Sequence, residues 1–296
     1  MISSSPPLIL FFLILVIRFH YINAANLKLN DKYLLNLHFS SSWNGDELTI
    51  INKPLYYIKF NDSATKKILF VGDSLDRNAA LSLCELNAEA KQTAVTFKNI
   101  NKTCTHYTSG KQLRQESFHC AYANYHVEAL FLGGVMMDED CFWQRLNESQ
   151  SYRDSIAFVP DLIVFKSFYW DISYIAKHVN SQNWTIHESY IDIFYHRMSA
   201  FVSTLQAVFP TTQFALKTDP LWKQDHNRFG NPKLIHTIGL RLYNKVRLIA
   251  AEKKLPLFDY FRVFEELAPE VYLQDDIHIK PHYSYIVLNT LYGYLS

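Results

Sequence analysis

Lys66 to Asn78, reading KKILFVGDSLDRN, constrains the fold of this chain more than any other stretch. An apolar, partly β-branched run (Ile68, Leu69, Phe70, Val71) stops at Gly72-Asp73-Ser74, and a polar segment with helix-start character follows. That is the pattern of a buried parallel strand turning sharply into a helix, with a serine at the turn. A serine so placed sits at the carboxyl end of a sheet strand with its hydroxyl exposed. The first backbone N–H groups of the helix then point at any anion formed beside it.

The rest of the chain repeats the alternation. Buried strands are expected at Val127 to Leu132, ending in Gly133-Gly134, at Asp161 to Phe165, ending in KSFYWD, at Thr212 to Leu216 and at Pro256 to Phe258. Helices are expected over Asp76 to Ala90 and over Glu188 to Val208. Two more carry the apolar stripes Leu234, Ile238, Leu242, Val246, Ile249 and, at the end, Ile286, Leu288, Leu291, Leu295. Residues 26 to 60 read as a lead-in strand with loops, residues 91 to 127 as a polar excursion of short strands and turns, and Asp219 to Pro232 as a loop. The prediction is an α/β fold of three layers, α/β/α, around a central, mainly parallel sheet. At 296 residues and 49% hydrophobic content, the chain can form one such domain over 25–296.

A formal charge of +1 gives no electrostatic footprint for nucleic acid or for an anionic membrane surface. Before the domain, Leu8 to Ile17 is an unbroken apolar run closed by Arg18. It is short of the roughly 20 residues a bilayer span needs and suits the apolar core of a signal peptide cleaved near Ala24 or Ala25. Because no Lys or Arg precedes it, a retained anchor through residues 8–22 is the alternative. Either way the body is expected in the secretory lumen or outside the cell. Asn61, Asn101, Asn147 and Asn183 each open a glycosylation tripeptide. Cys84, Cys104, Cys120 and Cys141 offer two disulfides there, in any of three connectivities; Cys104–Cys120 closes the shortest loop, which leaves Cys84–Cys141.

In a parallel sheet, reactive groups gather at the carboxyl ends of the strands. A serine nucleophile needs an imidazole to take its proton and a carboxylate to fix the ring's tautomer. Asp275 and His278, three apart in the last loop, can meet in a tight turn while the ring points back at Ser74. The Ser74 N–H and a Gly133 or Gly134 N–H are candidate oxyanion donors, since glycine lets the backbone approach closely. A Gly-Asp-Ser tripeptide arises by chance in roughly one chain in ten, so its placement between a strand and a helix carries the argument. His282 competes as base but has no Asp three residues before it. Cys104-x-His106 and His119-Cys120 lack zinc-type spacing.

FVGDSLDRN with the late DDIH resembles the GDSL or SGNH hydrolase superfamily, closest to its PC-esterase and trichome-birefringence-like branch. Arg77, three residues after the serine, and the Asp275/His278 pair match positions of that branch, and PDLIVFKSFYWDIS is similar to its third block. The resemblance implies a flavodoxin-like sheet and acyl-ester chemistry, usually on O-acylated glycans. It also implies no metal or organic cofactor and a small ester or acylated carbohydrate as partner; no nucleic acid is expected from the charge, and the chain is expected to be a monomer. The branch's oxyanion asparagine falls on Lys166, which either donates to the oxyanion or pairs with Asp73 or Asp171 and leaves the hole incomplete. Asp171 reads as a carboxylate near the site. Tyr169 and Trp170 read either as lining a pocket or as core. The expected function is a secreted or lumenal serine esterase or O-acyltransferase. The alternative is a non-catalytic glycan-binding protein on the same fold.

Overall fold

The computed structural model of the protein describes residues 33–35, 39–44, 47–52, 57–59, 66–85, 93–96, 116–122, 125–131, 136–156, 158–179, 186–220, 231–265, 267–275, 277–281 and 283–284. The expected leader and C-terminal helix, His282, Gly133, Gly134, Cys104, Asn61, Asn101 and Asn183 lie outside them, as do the side chains of Cys84 and Cys120.

Four short strands come first: β1 (Tyr33–Leu35), β2 (Phe39–Asn44), β3 (Glu47–Asn52) and β4 (Tyr57–Lys59). They pair antiparallel as β1–β4 and β2–β3. The main body follows as β5 (Lys66–Gly72), α1 (Ser74–Glu85), β6 (Thr93–Thr96), β7 (Glu116–Tyr122), β8 (Tyr125–Phe131), α2 (Glu139–Ser155) and β9 (Leu162–Phe165). It continues with α3 (Tyr169–His178), α4 (Glu188–Val208), β10 (Gln213–Thr218), α5 (Pro232–Glu252), β11 (Leu257–Asp259), α6 (Tyr260–Phe264) and α7 (Pro269–Tyr272).

Seven strands form one sheet in the order β11-β10-β9-β5-β8-β7-β6. The five from β11 to β8 run parallel, and β7 and β6 extend the sheet antiparallel, so the excursion at 91–127 supplies an edge to the same sheet. From β5 the chain goes to β8 on one side, and β9 returns to β5's other side. This reversal of strand order falls at the carboxyl end of β5, where Ser74 begins α1, the place where open α/β sheets bind their ligands.

Both faces of the parallel strands β5, β9 and β10 are buried, as the middle of a parallel sheet requires. Leu69, Val71, Ile163, Phe165, Phe214 and Leu216 share one core with Ile172 of α3, Phe194, Phe201 and Leu205 of α4, and Ile238, Leu242 and Val246 of α5. Ile68, Phe70, Leu162, Val164 and Ala215 alternate to the opposite face and are equally buried. Each such side chain contributes about 1.5–3 kcal/mol by leaving water. No helix among the described residues is long and apolar enough to cross a membrane.

Helix α4 lies where its stripe predicts. Pro232 opens α5 rather than closing a loop, with the Asn231 side chain accepting from Lys233 and Leu234 N–H. Helices α2 and α3 were not anticipated. The sequence EDCFWQRLNESQSYRDS of α2 has no continuous apolar stripe. Its start is set instead by the Asp138 cap, which accepts from Cys141 N–H at 2.9 Å, and by Glu139 and Asp140 in the first turn.

Candidate active site

The turn that carries Ser74 is a capping box. Asp73 precedes α1 and its Oδ1 accepts the Leu75 N–H at 2.9 Å, while Asp76 Oδ2 reaches back to the Asp73 N–H at 3.0 Å. The first intrahelical bond runs from the Arg77 N–H to the Asp73 carbonyl at 3.1 Å, and Arg77 itself is half-buried. Ser74 is therefore the first helical residue, and its N–H belongs to the first turn, whose donors have no partner within the helix. Gly72 permits this arrangement: a Cβ there would lie 2.0 Å from Asp76 Oδ2.

His278 arrives from the loop after α7. Leu273 and Ile279 form an antiparallel bridge, Gln274 N–H donates to the His278 carbonyl at 2.7 Å, and Lys280 N–H to the Tyr272 carbonyl at 2.8 Å. Inside this loop Asp275 Oδ1 accepts the N–H groups of Ile277 and His278 at 2.8 and 2.7 Å. Its Oδ2 lies 2.7 Å from His278 Nδ1, and His278 Nε2 lies 3.3 Å from Ser74 Oγ. The ionised carboxylate can only accept, so Nδ1 carries the proton and Nε2 is left as an acceptor for the serine hydroxyl. Burial works to raise the Asp275 carboxyl, but the two amide donors and the imidazole outweigh it and hold the group below its ordinary value. Ser74, Asp275 and His278 are thus brought together in the geometry of a nucleophile, its base and the base's orienting carboxylate.

Lys166 turns away from this line. Its Nζ is bound by Asp73 Oδ1 at 2.8 Å, by Asp76 Oδ2 at 3.1 Å and by Asp219 Oδ2. Of the two ion-pair partners expected from the sequence it takes Asp73, and it adds Asp76 and Asp219. Beside it Lys217 Nζ binds Asp76 Oδ1 at 2.7 Å and Asp219 Oδ1 at 3.0 Å. The register explains the meeting: Phe165 of β9 pairs with Leu216 of β10, so Lys166 and Lys217 follow side by side at the strand ends. Two adjacent ammonium groups would repel; three aspartates interleave with them. Burial and the charges of Asp76 and Asp219 raise the Asp73 carboxyl against the pull of Lys166. Burial also acts on Asp76, but there Lys166 and Lys217 prevail and its carboxyl is lowered. Burial disfavours the Lys166 ammonium, yet Asp219, Asp73 and Asp76 together raise its pKa. Sequence reasoning passed over Lys217, Asp219 and Asp76. The local signal was the Asp73-x-x-Asp76 spacing of the capping box.

Asp171 is fully buried and accepts from Met137 N–H at 2.9 Å and from the Ser167 hydroxyl. Desolvation pushes its carboxyl up to about 7 against those hydrogen bonds. It thereby ties the chain at Met137, just before α2, to the β9–α3 turn, and Arg197 Nη1 clasps the Met136 and Met137 carbonyls at 3.0 Å each. Tyr169 is core: it is 4% exposed and its hydroxyl donates to the Pro220 carbonyl. Trp170 is half-buried against the same core. Cys141 is buried and Asn147 exposed on α2. Among the described residues no group of three or more His, Cys, Asp and Glu is placed to hold a metal ion.

No family model matches the chain, and neither does any curated protein. Among solved structures it is similar to a GDSL-like lipase from Bacteroides thetaiotaomicron VPI-5482, at 12% identity and TM-score 0.42 over 77% of this chain and 85% of that one. It is similar to a catalytic mutant of an acetylxylan esterase from Geobacillus stearothermophilus, at 14% identity and TM-score 0.41 over 77% and 93%. It is also similar to a peptidoglycan O-acetylesterase, at 10% identity and TM-score 0.45 over 78% and 90%. At these identities and TM-scores the site rests on its own geometry.

Proposed function

We propose that the protein is a serine acyl-ester enzyme of the SGNH type, secreted or lumenal, acting on O-acylated carbohydrate. The observation that carries this reading is the hydrogen-bonded line Asp275–His278–Ser74, assembled at the carboxyl end of the central strand from residues 204 positions apart. Ser74 Oγ attacks the acyl carbonyl as its proton passes to His278 Nε2, and Asp275 stabilises the imidazolium. The oxyanion meets the Ser74 N–H, with a Gly133 or Gly134 N–H as the second donor. Collapse expels the alcohol, which takes the proton from His278, and the acyl group stays on Ser74. A water or a sugar hydroxyl then gives its proton to His278 and attacks the acyl-enzyme, and Ser74 Oγ recovers that proton. Water makes the protein an esterase; the sugar hydroxyl makes it an O-acyltransferase. The substrate class is supported by the resemblance of the serine and Asp-x-x-His blocks. The compartment is supported by the apolar leader and the glycosylation tripeptides.

Covalent labelling by an organophosphonate tests the nucleophile. Folded wild-type protein should be labelled at Ser74, Ser74→Ala should take no label, and His278→Ala should lose labelling while staying folded. Ester turnover that survives Ser74→Ala would sink the reading. Release of acyl into water against its appearance on an added glycan separates hydrolase from transferase. A second reading, a non-catalytic glycan-binding protein, is favoured by one observation: Lys166 Nζ is committed to three carboxylates and offers nothing to an oxyanion. Absence of labelling together with glycan binding would decide for it.

A further inference from the structure

The capping box at Ser74 is held from outside its own helix. Asp76 uses Oδ2 for the Asp73 N–H and Oδ1 for Lys217 Nζ, and Asp73 Oδ1 is shared between the Leu75 N–H and Lys166 Nζ. Asp219 bridges both lysines from the end of β10. The five side chains are between 0 and 6% exposed. A capping box at a solvated helix end needs no cation, since two carboxylates and two amides already satisfy each other. Here five charges have been taken from water, a large desolvation cost that only mutual pairing offsets. The result ties the turn after β5 to the ends of β9 and β10. Ser74 lies between the two box residues, so a turn of the Asp76 carboxylate moves the Asp73 amide and, with it, both the Ser74 hydroxyl and the Ser74 N–H.

We propose that Lys217 and Asp219 are positioning residues for Ser74: through Asp76 and Lys166 they hold the capping box so that the hydroxyl faces His278 and the N–H faces the oxyanion. This rests on the reading of Ser74 as nucleophile. Neither residue touches the reacting atoms. Loss of Lys217 leaves one ammonium against three carboxylates, and Asp76 and Asp219 are then screened from each other by Lys166 alone. Replacing Asp219 by Asn leaves two ammonium groups against two carboxylates.

The test compares wild type with Lys217→Met, Lys217→Arg and Asp219→Asn, each shown to be folded by near-ultraviolet circular dichroism. It measures phosphonate labelling of Ser74 and turnover of an activated acetyl ester. Lys217→Met should lower kcat and the labelling rate about 100-fold, the scale of a misplacement of roughly 1 Å. KM should stay within about twofold, as for an interaction that acts on the transition state. Lys217→Arg, which keeps the charge, should restore at least about tenfold of that loss. A folded Lys217→Met with wild-type kcat, or with its loss in KM alone, overturns the proposal. If Lys217→Met does not fold, the isosteric Asp219→Asn decides: a fall of about tenfold in kcat at constant KM supports the proposal, and no change overturns it. Wild-type protein that takes no label overturns the nucleophile reading, and this proposal with it. Equal labelling of wild type and Lys217→Met overturns this proposal alone.

Discussion

Two sets of ionisable residues converge on Ser74, and they differ in how much water they keep. His278 and Asp275 sit on a surface loop with side chains 23% and 48% exposed. Asp73, Asp76, Lys166, Lys217 and Asp219 lie behind the serine, none more than 6% exposed. In the proposed reading His278 takes up and returns a proton in every turnover, and its surface loop leaves it open to substrate and water. The buried set has the opposite task. Each of its charges is paired at short range in a low-dielectric setting, so changing one is costly for all, and the turn they support stays rigid.

The largest effect should come from the exposed side. Asp275→Asn leaves the loop's shape nearly intact but allows the wrong imidazole tautomer, and kcat should fall by about 10⁴ while stability falls by no more than about 1 kcal/mol. A steady-state assay beside a urea melt would show it; equal losses in both would mean that Asp275 serves folding rather than catalysis. The same carboxyl is held below its ordinary value. Its contribution to stability is therefore present above about pH 4 and is lost as the pH falls through the folded value.

Next comes the buried side. Lys166→Met removes the cation shared by three carboxylates and should destabilise the fold by about 3–5 kcal/mol, because Asp73 is left buried without a cation and Asp76 and Asp219 share Lys217 alone. Urea denaturation measures this. A loss below about 1 kcal/mol, the range of surface pairs, would erase the contrast between the two sets. A smaller break is Gly72→Ala. With its methyl group at 2.0 Å from Asp76 Oδ2, the carboxylate must leave the Asp73 amide, and about 1–2 kcal/mol of cap energy should go with it. Lower labelling of Ser74 in the folded variant would show that the box, and not only the helix, has moved.

The smallest effect sharpens the comparison at a third carboxylate. Asp171 is as buried as the cluster but has no cation beside it in its hydrogen-bond set, and its carboxyl rises to about 7. Between an unfolded value of about 4 and that folded value, the native state binds the extra proton, so this group makes stability fall as pH rises across the window. Urea melts from pH 5 to 8 should show a steeper decline for wild type than for Asp171→Asn. Parallel slopes would contradict the account.

Much of the architecture was legible along the chain. Ile68 to Val71, Leu162 to Phe165 and Phe214 to Leu216 are apolar runs of strand length between turns, which only a sheet buried on both faces accommodates. The stripes of α4 and α5 repeat at three and four residues and lie on helices as expected. Helix α2 was not legible because a polar helix started by its cap leaves no periodic trace. Asp275 and His278 could be read because a spacing of three places both side chains within one turn of chain.

What the sequence determined by itself is therefore the local part: the strand ending in Gly72-Asp73-Ser74, the helix that follows, and an Asp–His pair able to orient an imidazole. These depend on neighbours a few residues apart, whose geometry the backbone dictates. Only the tertiary structure decided that His278 meets Ser74 across 204 positions and that Lys166 binds three aspartates. Both outcomes follow from strand order and register, which put β9 and β10 beside β5 and align Lys166 with Lys217. A lysine's partner depends on which carboxylates the sheet brings within reach of its long stem, and no spacing along the chain encodes that.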